Sequence, residues 1–340
     1  MGYAFETLVL ASIAIYKLKH FIVRVLGDLH RLTQGIRESI KMIAPLIVNI
    51  LVGSITSPPI VSTLQVRYAS NELLGDFNVS SNIGAILDGI AGVLSGSFTF
   101  GITASKDPEI IRKSFIKGSM YISLFLGFFV VSTIVFANQV VAVLYGHAYN
   151  YAGLMLMLQV STLFSVVFGQ YGAFLWAVGD TKLMSAIGII STLISLGASI
   201  ILILEFGGVW GSIYSFLVSS YSGGLITLIL TYRVHGVLPD IKANVRALMP
   251  SLLSGAIIYP FTLILTPKPA LLLIIPYAML FIVFTALFLR TREILELIKI
   301  VSTDKVLSSI LYKPLVLILR LNVHIYGIDW LSRIIIWRSE

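Results

Sequence analysis

Residues 77–117 read FNVSSNIGAILDGIAGVLSGSFTFGITASKDPEIIRKSFIK, and this stretch decides the fold. Its first part, 77–104, carries a single charged side chain, Asp88. It is longer than the ~20 mostly apolar residues that a helix needs to cross a bilayer. Its second part, 105–117, holds four Lys and Arg residues. A long apolar run followed by a short basic loop predicts a membrane span whose loop lies on the cytoplasmic side.

The same pattern continues on both sides of this stretch. We predict nine spans, at 2–17, 42–66, 77–104, 118–145, 151–178, 183–204, 208–232, 247–267 and 270–289. The spans are expected to be helices, because lipid leaves no partner for open backbone groups and the alternation of a β-barrel strand is absent. Short connections make sequential helices antiparallel neighbours. The predicted fold is therefore all-α, a polytopic bundle of about nine transmembrane helices.

The basic residues are distributed very unevenly between the two sides of these spans. Seventeen of the 24 Lys and Arg residues fall in loops on one side, two (Arg67 and Lys268) fall on the other, and five lie in the C-terminal tail. Cytoplasmic loops carry such an excess. We therefore predict a multi-pass protein of the plasma membrane with its N-terminus outside and its C-terminus in the cytoplasm.

The composition excludes several classes of protein. A mean hydropathy of +0.95 with 57% hydrophobic and 12% charged residues is not that of a soluble domain. The net charge of +8 resides in short loops that meet the anionic inner leaflet, which favours the bilayer over nucleic acid as a partner. The chain has no cysteine. No metal-binding, nucleotide-binding or nucleophile motif is present, so we expect no metal, no cofactor and no enzyme activity.

The spans and loops divide the chain into five parts. Residues 1–17 form the first transmembrane helix, and 18–41 form a basic cytoplasmic linker. Residues 42–232 form a six-helix lobe, and 247–289 add two further transmembrane helices. We interpret 303–340 as a cytoplasmic tail with a helix that lies in the membrane interface.

Asp88 lies on a polar, small-residue face of its predicted helix. At the helical period, Ser81, Asp88, Ser95 and Thr99 share this face with Gly84, Ala85, Ala91 and Gly92, while large aliphatic residues lie opposite. An acid within a membrane is costly and usually functional, which indicates a cavity that binds a cation, a proton or a substrate hydroxyl. The alternative is a hydrogen-bonded acid that packs two helices, aided by the Gly92-xxx-Gly96 spacing.

Other polar residues within spans are weaker candidates for the same pathway. Gln159, Thr162 and Gln170 share a face of span 151–178, and their groups suit sugar hydroxyls or contacts between helices. Asn49 lies in span 42–66, and Arg67 follows that span, where it could receive an anionic group. The prolines of that span indicate a bend for gating or packing: Pro45, Pro58 and Pro59.

Six short segments, in order, carry a resemblance to a known family. They are IKMIAP at 40–45, NELLGDF at 71–77, the link 106–117, VLYGHAYNYA at 143–152, AVGDTK at 177–182 and FGGVWGS at 206–212. Over roughly 41–290 the chain resembles the Wzx-like polysaccharide biosynthesis proteins. These are oligosaccharide flippases of the multidrug/oligosaccharidyl-lipid/polysaccharide exporter (MOP) superfamily.

The resemblance implies two pseudo-symmetric helix bundles that rock around a central cavity, of which this chain lacks about the first five helices. The chain would then be a C-terminal lobe of the MOP or MATE type with part of the N-terminal lobe. A second copy or a complementary membrane subunit could complete the cavity. The implied cargo is a polyprenyl-linked saccharide that moves from the inner to the outer leaflet.

Three other functions remain open at this point. A cation-coupled exporter of small molecules would use Asp88 as its coupling group. A partner subunit or truncated relative would carry no cargo of its own. A polytopic enzyme acting on lipid-linked sugars ranks third, because the outer loops are short and only Glu72 and Asp76 accompany Arg67 there.

Overall fold

The computed structural model describes residues 60–103, 107–302 and 305–326, together with the isolated Ile47. The predicted first helix at 1–17, the linker at 18–41 and most of span 42–66 lie outside the described residues. The candidate residues Asn49, Pro45, Pro58 and Pro59 lie outside them as well. The C-terminal part of that span, residues 60–67, is helical.

The described part of the chain is helical and contains no strand, which confirms the all-α prediction. Eleven α-helices follow the segment 60–67: α1 Asn71–Thr103, α2 Pro108–Tyr145, α3 Ala152–Ser161, α4 Val166–Val178, α5 Thr181–Phe206, α6 Gly208–His235, α7 Ile241–Ile264, α8 Pro267–Leu272, α9 Ile274–Phe288, α10 Thr291–Ser302 and α11 Lys305–Tyr326.

Within the described residues, six segments are long and apolar enough to cross a membrane: Asn71–Thr99, Glu109–Tyr145, Thr181–Phe206, Gly208–His235, Ile241–Ile264 and Pro267–Phe288. Each overlaps one predicted span. The predicted span 151–178 is divided instead into α3, a 3-10 turn at Thr162–Ser165 and α4. The Thr162 hydroxyl donates to the carbonyl of Gln159, and such local bonds favour a tighter turn within a helix.

Aspartates and glycines set the boundaries of the long helices. Asp107, Asp180 and Asp240 accept hydrogen bonds from backbone N–H groups at the starts of α2, α5 and α7. The glycines that follow α2, α4, α5 and α6 have positive φ: Gly146, Gly179, Gly207 and Gly236. Glycine adopts this backbone conformation at low cost, so each chain reversal takes only a few residues.

Helix α2 lies at the centre of the packing. One side of it joins α1 and α3 in a cluster that includes Ile83, Leu126 and Leu156. The other side packs on α7, where a Cβ on Gly127 would lie 2.7 Å from the Ser251 Oγ. Small residues at a crossing let two helices approach closely. Helices α5 and α6 pack against each other as an antiparallel hairpin, and α6 also packs on α4.

Helices α10 and α11 fold back onto α2, α7 and α9. Their apolar faces join a cluster that includes Ile294, Leu297 and Ile318. The buried Asn322 amide donates to the carbonyls of Ala286 and Leu289, at 2.6 and 2.9 Å. The carbonyls at the C-terminal end of a helix have no partner within that helix. The Asn322 amide supplies the missing partners at the end of α9.

Candidate functional site

A cavity of about 400 Å³ with mixed polar and apolar lining lies among the segment 60–67 and helices α1, α3, α5 and α6. Its polar lining includes Gln65, Ser81, Asp88, Gln159, Ser199 and Ser215. Apolar walls come from Phe77, Phe216 and three aliphatic residues. The cavity therefore gathers groups that are as much as 155 residues apart in sequence, from Val61 to Phe216.

Helix α1 presents its lining residues on one face. Ser81, Gly84 and Asp88 are three and four residues apart, a spacing that aligns side chains along a helix. At 1.5 Å per residue, Asp88 lies about 26 Å from Asn71 and near the middle of α1. Gly84 leaves room for the opposite wall, because a Cβ there would lie 3.6 Å from the Gln159 Oε1.

Two sets of hydrogen bonds hold the cavity walls. The Gln159 Nε2 donates to the Ser81 Oγ at 3.3 Å, which joins α3 to α1. The Ser199 hydroxyl donates to the Ser215 Oγ at 3.1 Å, and Ser215 donates to the Ser212 carbonyl at 2.8 Å. The second set joins α5 to α6. Buried hydroxyls that are paired in this way contribute to packing between helices.

The Asp88 carboxylate faces this cavity without a charged neighbour. Its side chain is exposed, and it makes no hydrogen bond or ion pair to any described residue. No Lys or Arg is among the described lining residues. An unpaired carboxylate within a membrane is tolerated only where it meets water, protein or a ligand.

Gln65 supplies a second unpaired group. Its Nε2 is buried and has no hydrogen-bond partner among the described residues. A buried N–H donor without a partner costs about 1–3 kcal/mol. The lining therefore holds a donor and an anionic acceptor that the described protein groups leave open.

The other predicted pathway residues are placed differently. Thr162 is buried in the 3-10 turn, and the Thr99 hydroxyl donates to the Ser95 carbonyl at 2.8 Å beyond the cavity lining. The guanidinium of the exposed Arg67 lies 6.0 Å from the Tyr68 ring centroid, also outside the lining. Gln170 lies in α4, but its side chain is outside the described set.

The sequence reasoning missed Gln65 and the serine walls of α5 and α6. The serine wall of α5 could have been found from the spacing of its residues, because Ser191, Ser195 and Ser199 recur every four residues. Ser212, Ser215 and Ser219 recur at three- and four-residue intervals. These spacings place hydroxyls along one face of each helix. Gln65 carries no comparable signal, because its position depends on how segment 60–67 meets α6.

The FGGVWGS segment packs against residues 65–69 and contributes Ser212 to the cavity lining. Gly208 donates its N–H to the Tyr68 carbonyl at 2.8 Å, and a Cβ on it would lie 2.1 Å from the Gln65 carbonyl oxygen. A Cβ on Gly211 would lie 2.3 Å from the Leu202 carbonyl oxygen. Both positions need glycine, since the neighbouring atoms belong to the backbone and cannot rotate away.

Two solved structures resemble this fold. A structure described as "Lipid II flippase MurJ, inward closed conformation" aligns at a TM-score of 0.62 and 16% identity, over 75% of this chain and 55% of its own. An outward-facing multidrug resistance MATE family transporter of the MOP superfamily aligns at a TM-score of 0.47 and 15% identity, over 83% and 78% of the two chains. No family model and no curated protein matches the sequence.

The helices and the cavity define a polytopic helical membrane protein whose fold resembles that of the lipid II flippase structure. The chain spans about half the length of the flippase structure that it resembles. At 16% identity the likeness establishes the fold alone.

Proposed function

We propose that the protein is a flippase for polyprenyl-linked oligosaccharide, which it moves from the inner to the outer leaflet of the plasma membrane. The observation that carries this proposal is the cavity at Asp88, which is lined by polar and apolar groups of several helices in a fold that resembles a lipid flippase. Moving a polar head group through the bilayer requires a passage that replaces its hydration. The hydroxyl, amide and carboxylate groups of this cavity are suited to that task.

Asp88 also supports a second candidate, a cation-coupled exporter of small molecules. A carboxylate with no basic neighbour among the described lining residues is available to bind a proton or a metal cation. Under this alternative, removing the charge abolishes the dependence of transport on pH or sodium. A variant with Asn at position 88 that keeps wild-type pH and sodium dependence contradicts it.

The exposed face of α1 supports a further membrane partner. A Cβ placed on Gly89, Gly92 or Gly96 meets no described atom within 4 Å, and Asn82 on the same face is exposed. Small residues at four-residue spacing favour close packing of a second helix. A second copy or a complementary membrane subunit would cover this face. We also propose that the C-terminus lies in the cytoplasm.

The test is transport by the purified protein in sealed vesicles. We expect a fluorescent polyprenyl-linked saccharide in the inner leaflet to become accessible to an external quencher only in vesicles that hold the protein, alone or with a co-purified membrane partner. The Asp88→Asn variant should lower the initial rate about tenfold or more, as the loss of roughly 1.4 kcal/mol of binding would do. Glu205→Gln is the matched control, because Glu205 is exposed at the end of α5 and outside the lining.

If the lipid stays inaccessible to the quencher with the wild-type protein alone and also with its co-purified membrane partner, the flippase proposal is contradicted. Equal rates for the Asp88→Asn and wild-type proteins contradict the role of the cavity in transport.

A further inference from the structure

We propose that the cavity binds neutral sugar hydroxyls in preference to phosphate groups and metal cations. The proposal rests on the proposed transport function and deepens it by assigning one part of the cargo to this site. The diphosphate of a lipid-linked saccharide would then lie elsewhere. The hydrogen-bond donors and acceptors that the lining leaves open distinguish these ligand classes.

Some lining hydroxyls are already used by the protein. Ser199 donates to Ser215, Ser215 donates to the Ser212 carbonyl, and Ser212 donates to the Gly208 carbonyl. Since a hydroxyl has one proton to donate, these three serines form the wall and have no donor left for a ligand.

Among the other lining groups, four with defined donor or acceptor roles remain open within the described part of the chain. The buried Gln65 Nε2 is a donor without a partner. The Ser81 Oγ accepts from Gln159, so its own proton is available. The Gln159 Oε1 and the Asp88 carboxylate are acceptors without a partner among the described residues. These four groups combine two donors with two acceptors, one of which carries a negative charge, and the lining also holds the Ser195 hydroxyl, which can both donate and accept.

This combination discriminates between ligand classes. A phosphate only accepts hydrogen bonds, and it would approach Asp88 with no Lys or Arg among the described lining residues to offset the repulsion. A metal cation suits Asp88 and Gln159 but leaves the Gln65 donor unpaired. A sugar hydroxyl both donates and accepts hydrogen bonds. Adjacent hydroxyls of a sugar can therefore pair with the open donors and with the open acceptors of the lining.

The size and walls of the cavity agree with such a ligand. Its volume of about 400 Å³ lies within the range of about 300–1,000 Å³ that is usual for small-molecule sites. Phe77 and Phe216 supply apolar surface for the C–H faces of a sugar ring. The mixture of apolar walls with few polar groups is typical of sites that fix the orientation of a ligand.

The absence of cysteine allows a direct binding test. Gly84→Cys places one thiol in the lining, where the added Cβ meets the Gln159 Oε1 at 3.6 Å, an ordinary contact. Gly92→Cys on the same helix is the control, because it lies outside the lining and has open space. The rate of labelling by a small methanethiosulfonate reagent is measured in detergent with a neutral N-acetylated disaccharide, sodium pyrophosphate or sodium chloride.

We expect the disaccharide to slow labelling of Gly84→Cys in a saturable manner and to leave Gly92→Cys unaffected. Pyrophosphate and sodium chloride should protect neither thiol. Adding Gln65→Leu should weaken the protection about fivefold, as the loss of one hydrogen bond predicts. The same substitution should raise the melting temperature of the ligand-free protein, because it removes an unpaired buried donor. Adding Asp88→Asn should allow pyrophosphate to protect, since it removes the repelling charge.

Three results overturn the proposal. They are protection of Gly84→Cys by pyrophosphate or by sodium with Asp88 intact, no protection by the disaccharide, and a thiol that the reagent cannot reach. The labelling rate is measured in detergent with the ligand at binding equilibrium, so the measurement needs no flipping. A protein that binds the disaccharide but fails to transport contradicts the proposed function and leaves the ligand class supported.

Discussion

At the scale of single residues, a few positions determine whether the cavity forms at all. Gly208 and Gly211 allow α6 to approach the backbone of residues 65–69 and of α5. Asp76, which is 1% exposed, accepts a hydrogen bond from the Tyr151 N–H at 3.2 Å and so links α1 to the start of α3. These residues lie outside the cavity lining, but they position the walls that carry Gln65, Asp88 and Gln159.

The Gly211→Ala variant should be destabilised. The added methyl would meet the Leu202 carbonyl oxygen and the Ile203 Cα at 2.3 and 2.4 Å, so the helices must move apart. Overpacking of this kind costs about 1–3 kcal/mol. Thermal unfolding in detergent should show a lower midpoint. Gly197→Ala in α5, which meets no described atom within 4 Å, is the control and should not be destabilised. Equal midpoints for the two variants would contradict the close approach.

At the scale of elements, α10 is an amphipathic helix tied to two membrane helices by its acids. The Lys117 Nζ donates to the Glu296 carboxylate at 2.8 and 2.9 Å, and the Arg246 Nη2 lies 3.3 Å from the Glu293 Oε1. The hydrogen bond from Lys117 holds the pKa of Glu296 below its ordinary value of 4.5. The sequence predicts an interfacial helix at 303–340, and among the described residues both α10 and α11 pack on the bundle.

Docking of α10 should therefore depend on pH. The pKa of Glu296 is lower in the folded state than in the unfolded state. Its contribution to the stability of the docked helix is therefore present above pH 4.5 and is lost as the pH falls through the pKa of the folded protein. Hydrogen exchange of the α10 amides should accelerate between neutral and acidic pH. The Glu296→Gln variant should exchange faster at neutral pH and respond less to acid.

Glu109→Gln is the control for that experiment, because Glu109 and Lys113 form an exposed pair at the start of α2, away from α10. Exposed ion pairs of this kind contribute little to the stability of the folded protein. If the Glu109→Gln and Glu296→Gln variants accelerate α10 exchange equally, the contact with Lys117 does not hold the helix.

At the scale of the whole molecule, orientation decides which leaflet the cavity serves. The lining residues of α5 and α6 lie in the halves of those helices nearer Gly207. Those of α3 lie in the half of the α3–α4 segment nearer the loop at 146–151. The basic loops predict that these ends face outward. The cavity would then lie towards the outer leaflet, where the cargo leaves.

The cysteine-free chain permits a topology test. We expect Lys113→Cys to react with a membrane-impermeant maleimide only after whole cells are permeabilised, and Asn150→Cys to react before. Both side chains are exposed and outside the cavity lining. The physical reason is the excess of Lys and Arg in the loops on the side of residue 113. The opposite labelling pattern would reverse the direction of transport proposed for the cavity.

The sequence by itself determined the helical class, the approximate positions of six spans and the face of α1 that carries Asp88. These features depend on local hydrophobicity, charge and the helical period, which act over a few turns of one segment. Only the tertiary structure brought Gln65, Ser199 and Ser215 to Asp88, divided 151–178 at Thr162 and folded α10 onto α2. These features depend on the crossings between helices. The crossings are set by glycine contacts and shared cores of residues distant in sequence, which no local pattern records.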